Sequence, residues 1–156
     1  MSTTENLRAL NDCAFRNMGV SILGGEGRRS DALQILVAED DAADLYLLKA
    51  ALADNPRVAD VVVAKDGIEA LEMLDSGAIH PDLAIIDLHM PRKDGLSLLL
   101  ELRTRSEATF PAIVLTSSRS AADAMRSRNR GAELFLVKPE GINKLTALMD
   151  DVISVL

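Results

Sequence analysis

Four short apolar runs, each closed by a charged or hydroxyl-bearing residue, dictate what this chain can fold into. Leu83-Ala84-Ile85-Ile86 stops at Asp87, and Gln34-Ile35-Leu36-Val37-Ala38 stops at Glu39-Asp40-Asp41. Ala112-Ile113-Val114-Leu115 runs into Thr116, and Leu134-Phe135-Leu136-Val137 runs into Lys138-Pro139. Near-continuous apolar segments of this length are what parallel strands buried on both faces require. Val58 through Val63 supplies a further strand, and helical patterns fill the intervals. Alternating β and α with short loops predicts a doubly wound, five-stranded parallel α/β sheet with helices on both faces. In an open sheet of this kind ligands bind at the carboxyl ends of the strands. The residues that close the runs therefore belong at one functional edge.

Asp87 alone is unremarkable, since an acid in a loop most often caps the following turn. The second acid cluster alters that reading. If the strands are parallel and adjacent, Glu39, Asp40 and Asp87 converge, and like charges repel unless a cation joins them. Mg²⁺ suits such a site, being a hard ion held by one or two carboxylates together with water and phosphate oxygens. Thr116 and Lys138 add a hydroxyl and an ammonium at the same edge. A carboxylate nucleophile, a metal, a hydroxyl donor and a lysine together form a phosphoryl-transfer site: the carboxylate attacks while cations and donors absorb charge on the equatorial oxygens. Between the acid and the next helix, Pro91 and the Asp94-Gly95 pair predict a tight loop, proline presetting φ and glycine accepting φ > 0.

The ordered set resembles the receiver domain of two-component response regulators. The matching pieces are Ile35-Leu36-Val37-Ala38-Glu39-Asp40-Asp41, Ile85-Ile86-Asp87 with Met90-Pro91 and Asp94-Gly95, Val114-Leu115-Thr116-Ser117, and Val137-Lys138-Pro139. The resemblance runs from about Ala32 to the last residue, dividing the chain into an arm at 1–30 and a receiver at 31–156. It implies the flavodoxin-like strand order 2-1-3-4-5. It also implies that Asp87 accepts a phosphoryl group from a histidine kinase or histidine phosphotransfer protein, while Glu39, Asp40, Asp87 and the backbone carbonyl of His89 hold Mg²⁺. Thr116 and Lys138 would contact the phosphoryl oxygens, Phe135 would be the aromatic that rotates when Thr116 moves, and the Lys138–Pro139 bond would be cis. The Pro91-Arg92-Lys93-Asp94-Gly95 loop resembles that of stand-alone regulators paired with phytochrome-type kinases.

Several positions depart from the family pattern. Glu39 stands where aspartate is common, which lengthens the arm but keeps the charge. Phe135 lacks the hydroxyl of the common tyrosine. His89, two after Asp87, and Ser118, two after Thr116, flank the water path and are positions that tune phosphoryl lifetime. Glu140-Gly141 replaces an aromatic anchor, and glycine loosens the first turn of the last helix. Two other function classes stay open: a small-substrate phosphohydrolase, which this chain lacks the cap segment and the second acid to support, and a phosphorylation-independent interaction module, against which the joint presence of Glu39, Asp40, Asp87, Thr116 and Lys138 argues.

Composition narrows the partners. A net charge of −7 opposes nucleic-acid binding, where a basic face is expected. The single cysteine, Cys13, excludes a disulfide framework within the chain. No run approaches membrane-spanning length and the first residues lack a secretory pattern, so a cytoplasmic protein without a membrane partner is expected. With no further segment after the last helix, output is expected through a downstream protein target. In the arm, Leu7, Leu10, Ala14 and Met18 recur at helical spacing beside Phe15, and Gly24-Gly25-Glu26-Gly27-Arg28-Arg29-Ser30 reads as a flexible connector. The arm is either a disordered tail or a segment that docks on the receiver or on a second copy.

The helices read as follows. Asp41 caps one through Ala53, with Leu45, Leu48, Ala51 and Leu52 inward. Asp66-Gly67 opens one carrying Ile68, Leu71 and Leu74, and Leu96 to Arg103 forms another, with Leu98, Leu99 and Leu102 inward. Ser118 to Arg130 is poor in large apolar residues, and its Arg119, Arg126, Arg128 and Arg130 form a solvated face or meet an acidic partner. In the last helix Ile142, Leu145, Met149, Val152 and Leu156 form the core stripe. Leu148 and Ile153 widen it enough to leave room for a homodimer contact.

Overall fold

The computed structural model describes residues 32–106 and 108–156; the readings made for the arm at 1–30 lie outside them. Strands β1 (Leu33–Ala38), β2 (Val58–Ala64), β3 (Leu83–Ile86), β4 (Ala112–Thr116) and β5 (Leu134–Val137) form one parallel sheet in the order β2-β1-β3-β4-β5. Helices α1 (Ala42–Ala53), α2 (Gly67–Asp75), α3 (Gly95–Thr104), α4 (Ala121–Asn129) and α5 (Ile142–Ser154) alternate with them.

The strand side chains sort by parity, as a period of two demands. Leu33, Ile35 and Val37 of β1, with Ile85 and Ile113, pack with Leu48 and Leu52 of α1 and Leu145, Met149 and Val152 of α5. Leu36 and Ala38, with Ala84, Ile86 and Val114, pack on the other face with Ala70 and Leu71 of α2 and Leu98, Leu99 and Leu102 of α3. Both faces are thus covered, and only the strand ends remain for chemistry. The register then levels those ends. Ala38 is paired with Ile86 and Thr116 with Val137. The Asp87 N–H donates to the Ala38 carbonyl at 3.0 Å and the Lys138 N–H to the Thr116 carbonyl at 2.8 Å.

Four expectations are corrected. Helix α4 begins at Ala121 rather than Ser118, because Ser120 caps it by accepting from the Asp123 N–H while the Ser118 hydroxyl donates to the Asp123 carboxylate at 2.6 Å. The residues that widen the stripe of α5 are used within the chain itself: Leu148 and Ile153 are buried in its own core with α1. The Lys138–Pro139 bond is trans, the isomer that X–Pro bonds favour by about 0.5–1 kcal/mol. Finally, Asp94-Gly95 is the cap and first residue of α3, and the residue with positive φ in that loop is Arg92, at 62°.

Candidate functional site

Each predicted strand-end residue reaches the same edge. Glu39 and Asp87 are 3% and 7% exposed and Thr116 is fully buried, whereas Asp40 and His89 are exposed. One carboxylate oxygen from each of Glu39, Asp40 and Asp87 lies within 4.8 Å of the others. Lys138 Nζ stands among the acids, donating to Glu39 Oε2 at 2.8 Å and to Asp87 Oδ2 at 3.4 Å.

Its shortest contact is one the sequence reading missed: Asp44 Oδ2, at 2.7 Å. Asp44 sits in the first turn of α1, where an acid is ordinarily explained by the positive end of the helix. Its backbone N–H is satisfied separately by the Asp41 carboxylate at 2.9 Å. The carboxylate faces Lys138 instead of capping the helix.

These contacts leave the site unbalanced. Burial, opposed by the Lys138 hydrogen bond and reinforced by the charge of Asp87, pushes the Glu39 carboxyl up to about 7. For Lys138, burial acts to lower the pKa, but hydrogen bonds to Asp44 and then Glu39, with the nearby Asp87 charge, outweigh it and hold the ammonium well above the usual lysine range. Asp87 Oδ1 is buried and has no hydrogen-bond partner among the described residues. A buried orphaned carboxylate oxygen is costly, and here it accompanies two further carboxylates. This donor set, all hard oxygens with one already unsatisfied, fits a divalent cation such as Mg²⁺.

The surrounding loops hold Asp87 in place. A β-carbon on Gly95 would overlap the Asp87 carbonyl oxygen and lie 2.8 Å from the Leu88 Cα, so only glycine lets α3 start this close beneath the acid. The Lys93 N–H closes a three-residue turn onto the Pro91 carbonyl at 2.7 Å around Arg92. Arg92 Nε then donates to Asp66 Oδ2 at 2.7 Å, tying the loop after β3 to the cap of α2. At the β5 end, Phe135 is half-buried against the α2/α3 face of the core and paired with Val114. Ser118, expected beside the water path, is engaged with Asp123 and through its N–H with Thr116 Oγ1 at 3.3 Å. Gly141, with φ of 87°, begins α5 without a side-chain cap. A cavity of about 590 Å³ lies at the opposite edge, lined by Ile79, His80, Arg105 and Phe110, and contains none of these residues.

Comparison with known proteins agrees with this geometry. The response regulator receiver domain family matches residues 35–150. Response regulator MprA of Mycobacterium ulcerans is 36% identical over 118 residues, which are 76% of this chain and 49% of that protein. The Regulator of RpoS of Escherichia coli (strain K12) is 37% identical over 117 residues, 74% of this chain and 33% of that one. The chain thus matches half or less of the length of these curated relatives. Among solved structures, the phosphorylated cyanobacterial phytochrome response regulator RcpA superposes with a TM-score of 0.72 at 28% identity, covering 78% of this chain and 91% of the other. The Mn²⁺-bound form of response regulator Rcp1 superposes with a TM-score of 0.71 at 26% identity, covering 78% and 92%.

Proposed function

The chain belongs to the response regulator receiver family, and from that membership we propose that Asp87 accepts a phosphoryl group from phosphohistidine. The donor is a sensor histidine kinase or a histidine phosphotransfer protein, the class of partner with which receiver domains interact. Glu39, Asp40, Asp87 and the His89 backbone carbonyl would hold Mg²⁺; the clustered carboxylates support this, as does the existence of a Mn²⁺-bound form of response regulator Rcp1. When bound, the ion offsets the repulsion between the anionic acceptor and the anionic donor.

The residues then divide the work. Ionised Asp87 attacks phosphorus, its O–P bond forming as the P–N bond breaks and the histidine nitrogen leaves with the electron pair. Lys138 and Thr116 donate to the phosphoryl oxygens, a point charge and a hydroxyl where negative charge accumulates. Attack of water at phosphorus later returns the carboxylate and inorganic phosphate. Thr116, drawn toward the phosphoryl group, vacates space that Phe135 turns into, so a local charge change biases the β4–β5 side of the domain between two states. Output passes to a downstream protein through that altered surface.

The observation that carries this reading is the lone oxygen: Asp87 Oδ1 is buried and unpaired among two other carboxylates and a lysine. Intact-mass spectrometry after incubation with Mg²⁺ and acetyl phosphate or phosphoramidate tests it. Gain of one base-labile phosphoryl group by the wild type, and none by Asp87→Asn, is expected. Absence of labelling in the wild type, under conditions where another receiver labels, would replace this reading with that of a phosphorylation-independent interaction module.

A further inference from the structure

We infer that Asp44 is the partner Lys138 gives up when Asp87 becomes phosphorylated, so that this carboxylate on α1 sets how readily the phosphorylated state is reached. The inference rests on the acceptor reading of Asp87 given above. An ammonium has three N–H bonds, and Lys138 Nζ is met by Asp44 at 2.7 Å, Glu39 at 2.8 Å and Asp87 at 3.4 Å. Every donor is engaged. A phosphoryl oxygen therefore gains Lys138 only by exchange.

The three partners differ in what release would cost them. Glu39 is 3% exposed, so solvent cannot take the place of the ammonium there. Asp87 itself carries the incoming group and stays beneath the lysine. Asp44 is the remaining partner, and its side chain is 43% exposed. Once released it is hydrated by solvent, so the exchange is least costly there. The contact is also dispensable for folding, because the start of α1 is capped by Asp41 and not by the Asp44 carboxylate. At rest Lys138 is drawn toward α1 rather than toward the acceptor. The exchange also severs a link between the first turn of α1 and the residue following β5. Asp44 is thus a positioning residue that acts through Lys138.

Isothermal titration of the full chain with Mg²⁺ and beryllofluoride, a non-covalent mimic of the acyl phosphate, tests this. Asp44→Asn should bind the mimic about two- to fivefold more tightly than the wild type, the range set by a half-exposed ion pair. Asp44→Glu, which restores the charge, should return toward the wild-type value, and Asp87→Asn should not bind. Binding by Asp44→Asn equal to or weaker than that of a competent wild type would overturn the inference and leave the role of Asp87 standing. Failure of the wild type to bind would overturn both. A second measurement needs no variant: the Asp44 carboxyl ¹³C resonance of the wild type should move toward that of a solvated carboxylate as the mimic binds. A stationary resonance would equally overturn the exchange.

Discussion

Arg92 and Asp66 bind the loop after β3 to the loop before α2: Arg92 Nε and Nη2 each stand 2.7 Å from Asp66 Oδ2, and Asp66 is itself buried. The arginine holds this position with a φ of 62°, which is uncommon for a residue with a β-carbon. A backbone hydrogen bond from Gly67 to the Lys93 carbonyl at 3.0 Å reinforces the connection. The tether and the strain have opposite signs. Arg92→Ala loses the pair and keeps the strain, so we expect about 1–2 kcal/mol of destabilisation, the worth of a charged hydrogen bond discounted for an exposed arginine. Arg92→Gly relieves the strain and should be about 1 kcal/mol more stable than Arg92→Ala. Urea unfolding of the three proteins checks the order, and an equal loss in both variants would show that the φ at Arg92 carries no cost.

The same pair predicts an acid response. The hydrogen bond from the Glu69 N–H, together with Arg92 and despite burial, holds the Asp66 carboxyl below the usual aspartate range. A lowered folded pKa means that the stabilisation is complete above the unfolded value, about 3.9, and is lost as pH falls through the folded value. Between about pH 5 and pH 3 the wild type should therefore lose more stability than Asp66→Asn, which has no carboxyl to protonate. Parallel stability curves for the two proteins would refute this linkage.

Gly95 makes a separate prediction because its need is steric and not conformational. Gly95→Ala places a methyl group against the Asp87 carbonyl and the Leu88 Cα. Neither is the end of a flexible side chain, so α3 or the end of β3 must shift. Overpacking of this kind typically costs about 1–3 kcal/mol. Thermal unfolding should show the loss, and labelling by acetyl phosphate should fall with it, since the displaced backbone is that of Asp87, the proposed acceptor.

The edge was readable from sequence because its residues each terminate an apolar run: period-two burial fixes the strands, and a strand's last residue in a parallel sheet has only one edge to occupy. Glu39, Asp87, Thr116 and Lys138 were found that way. Asp44 was not, because it lies in a helix and its partner stands on the far side of the sequence; nothing in its neighbourhood separates a lysine ligand from an ordinary helix-start acid. Arg92 was missed for a related reason. Glycine is the usual signal for positive φ, and the glycine of that loop, Gly95, serves close approach instead. The width of the α5 stripe reads first as core packing with room left for a second chain; α1 covers Leu148 and Ile153, a choice of surface that an apolar face in sequence does not specify.

Asp87→Asn should separate function from stability. In the absence of metal the native carboxylate combines an unpaired buried oxygen with the like charge of Glu39 nearby. Asparagine removes the charge and supplies a donor toward the neighbouring acids. The variant should therefore be about 1 kcal/mol more stable than the metal-free wild type, while losing labelling and most of its Mg²⁺ affinity. Unfolding with and without Mg²⁺ checks both halves: the ion should raise the stability of the wild type more than that of the variant. A variant less stable than the metal-free wild type would mean that Lys138 already compensates Asp87.

Glu39 should tie metal binding to pH. Its folded pKa of about 7 stands above the ordinary carboxylate value of 4.5. The sign follows directly: in metal-free protein the contribution of this group to stability is fully present below the unfolded value and is lost as pH rises through about 7, because the buried site resists ionisation. A cation ligated by Glu39 reverses the preference, since only the ionised carboxylate binds it. Below about pH 7 each ion bound should therefore release a proton, and Mg²⁺ affinity should fall with a slope approaching tenfold per pH unit. Calorimetry in buffers of different ionisation enthalpy counts that proton. Glu39→Gln should bind Mg²⁺ more weakly at neutral pH but with the slope removed, because the group that titrates is gone. A slope that persists in Glu39→Gln would assign the proton to another ligand, with Asp40 and Asp87 the remaining carboxylates of the cluster.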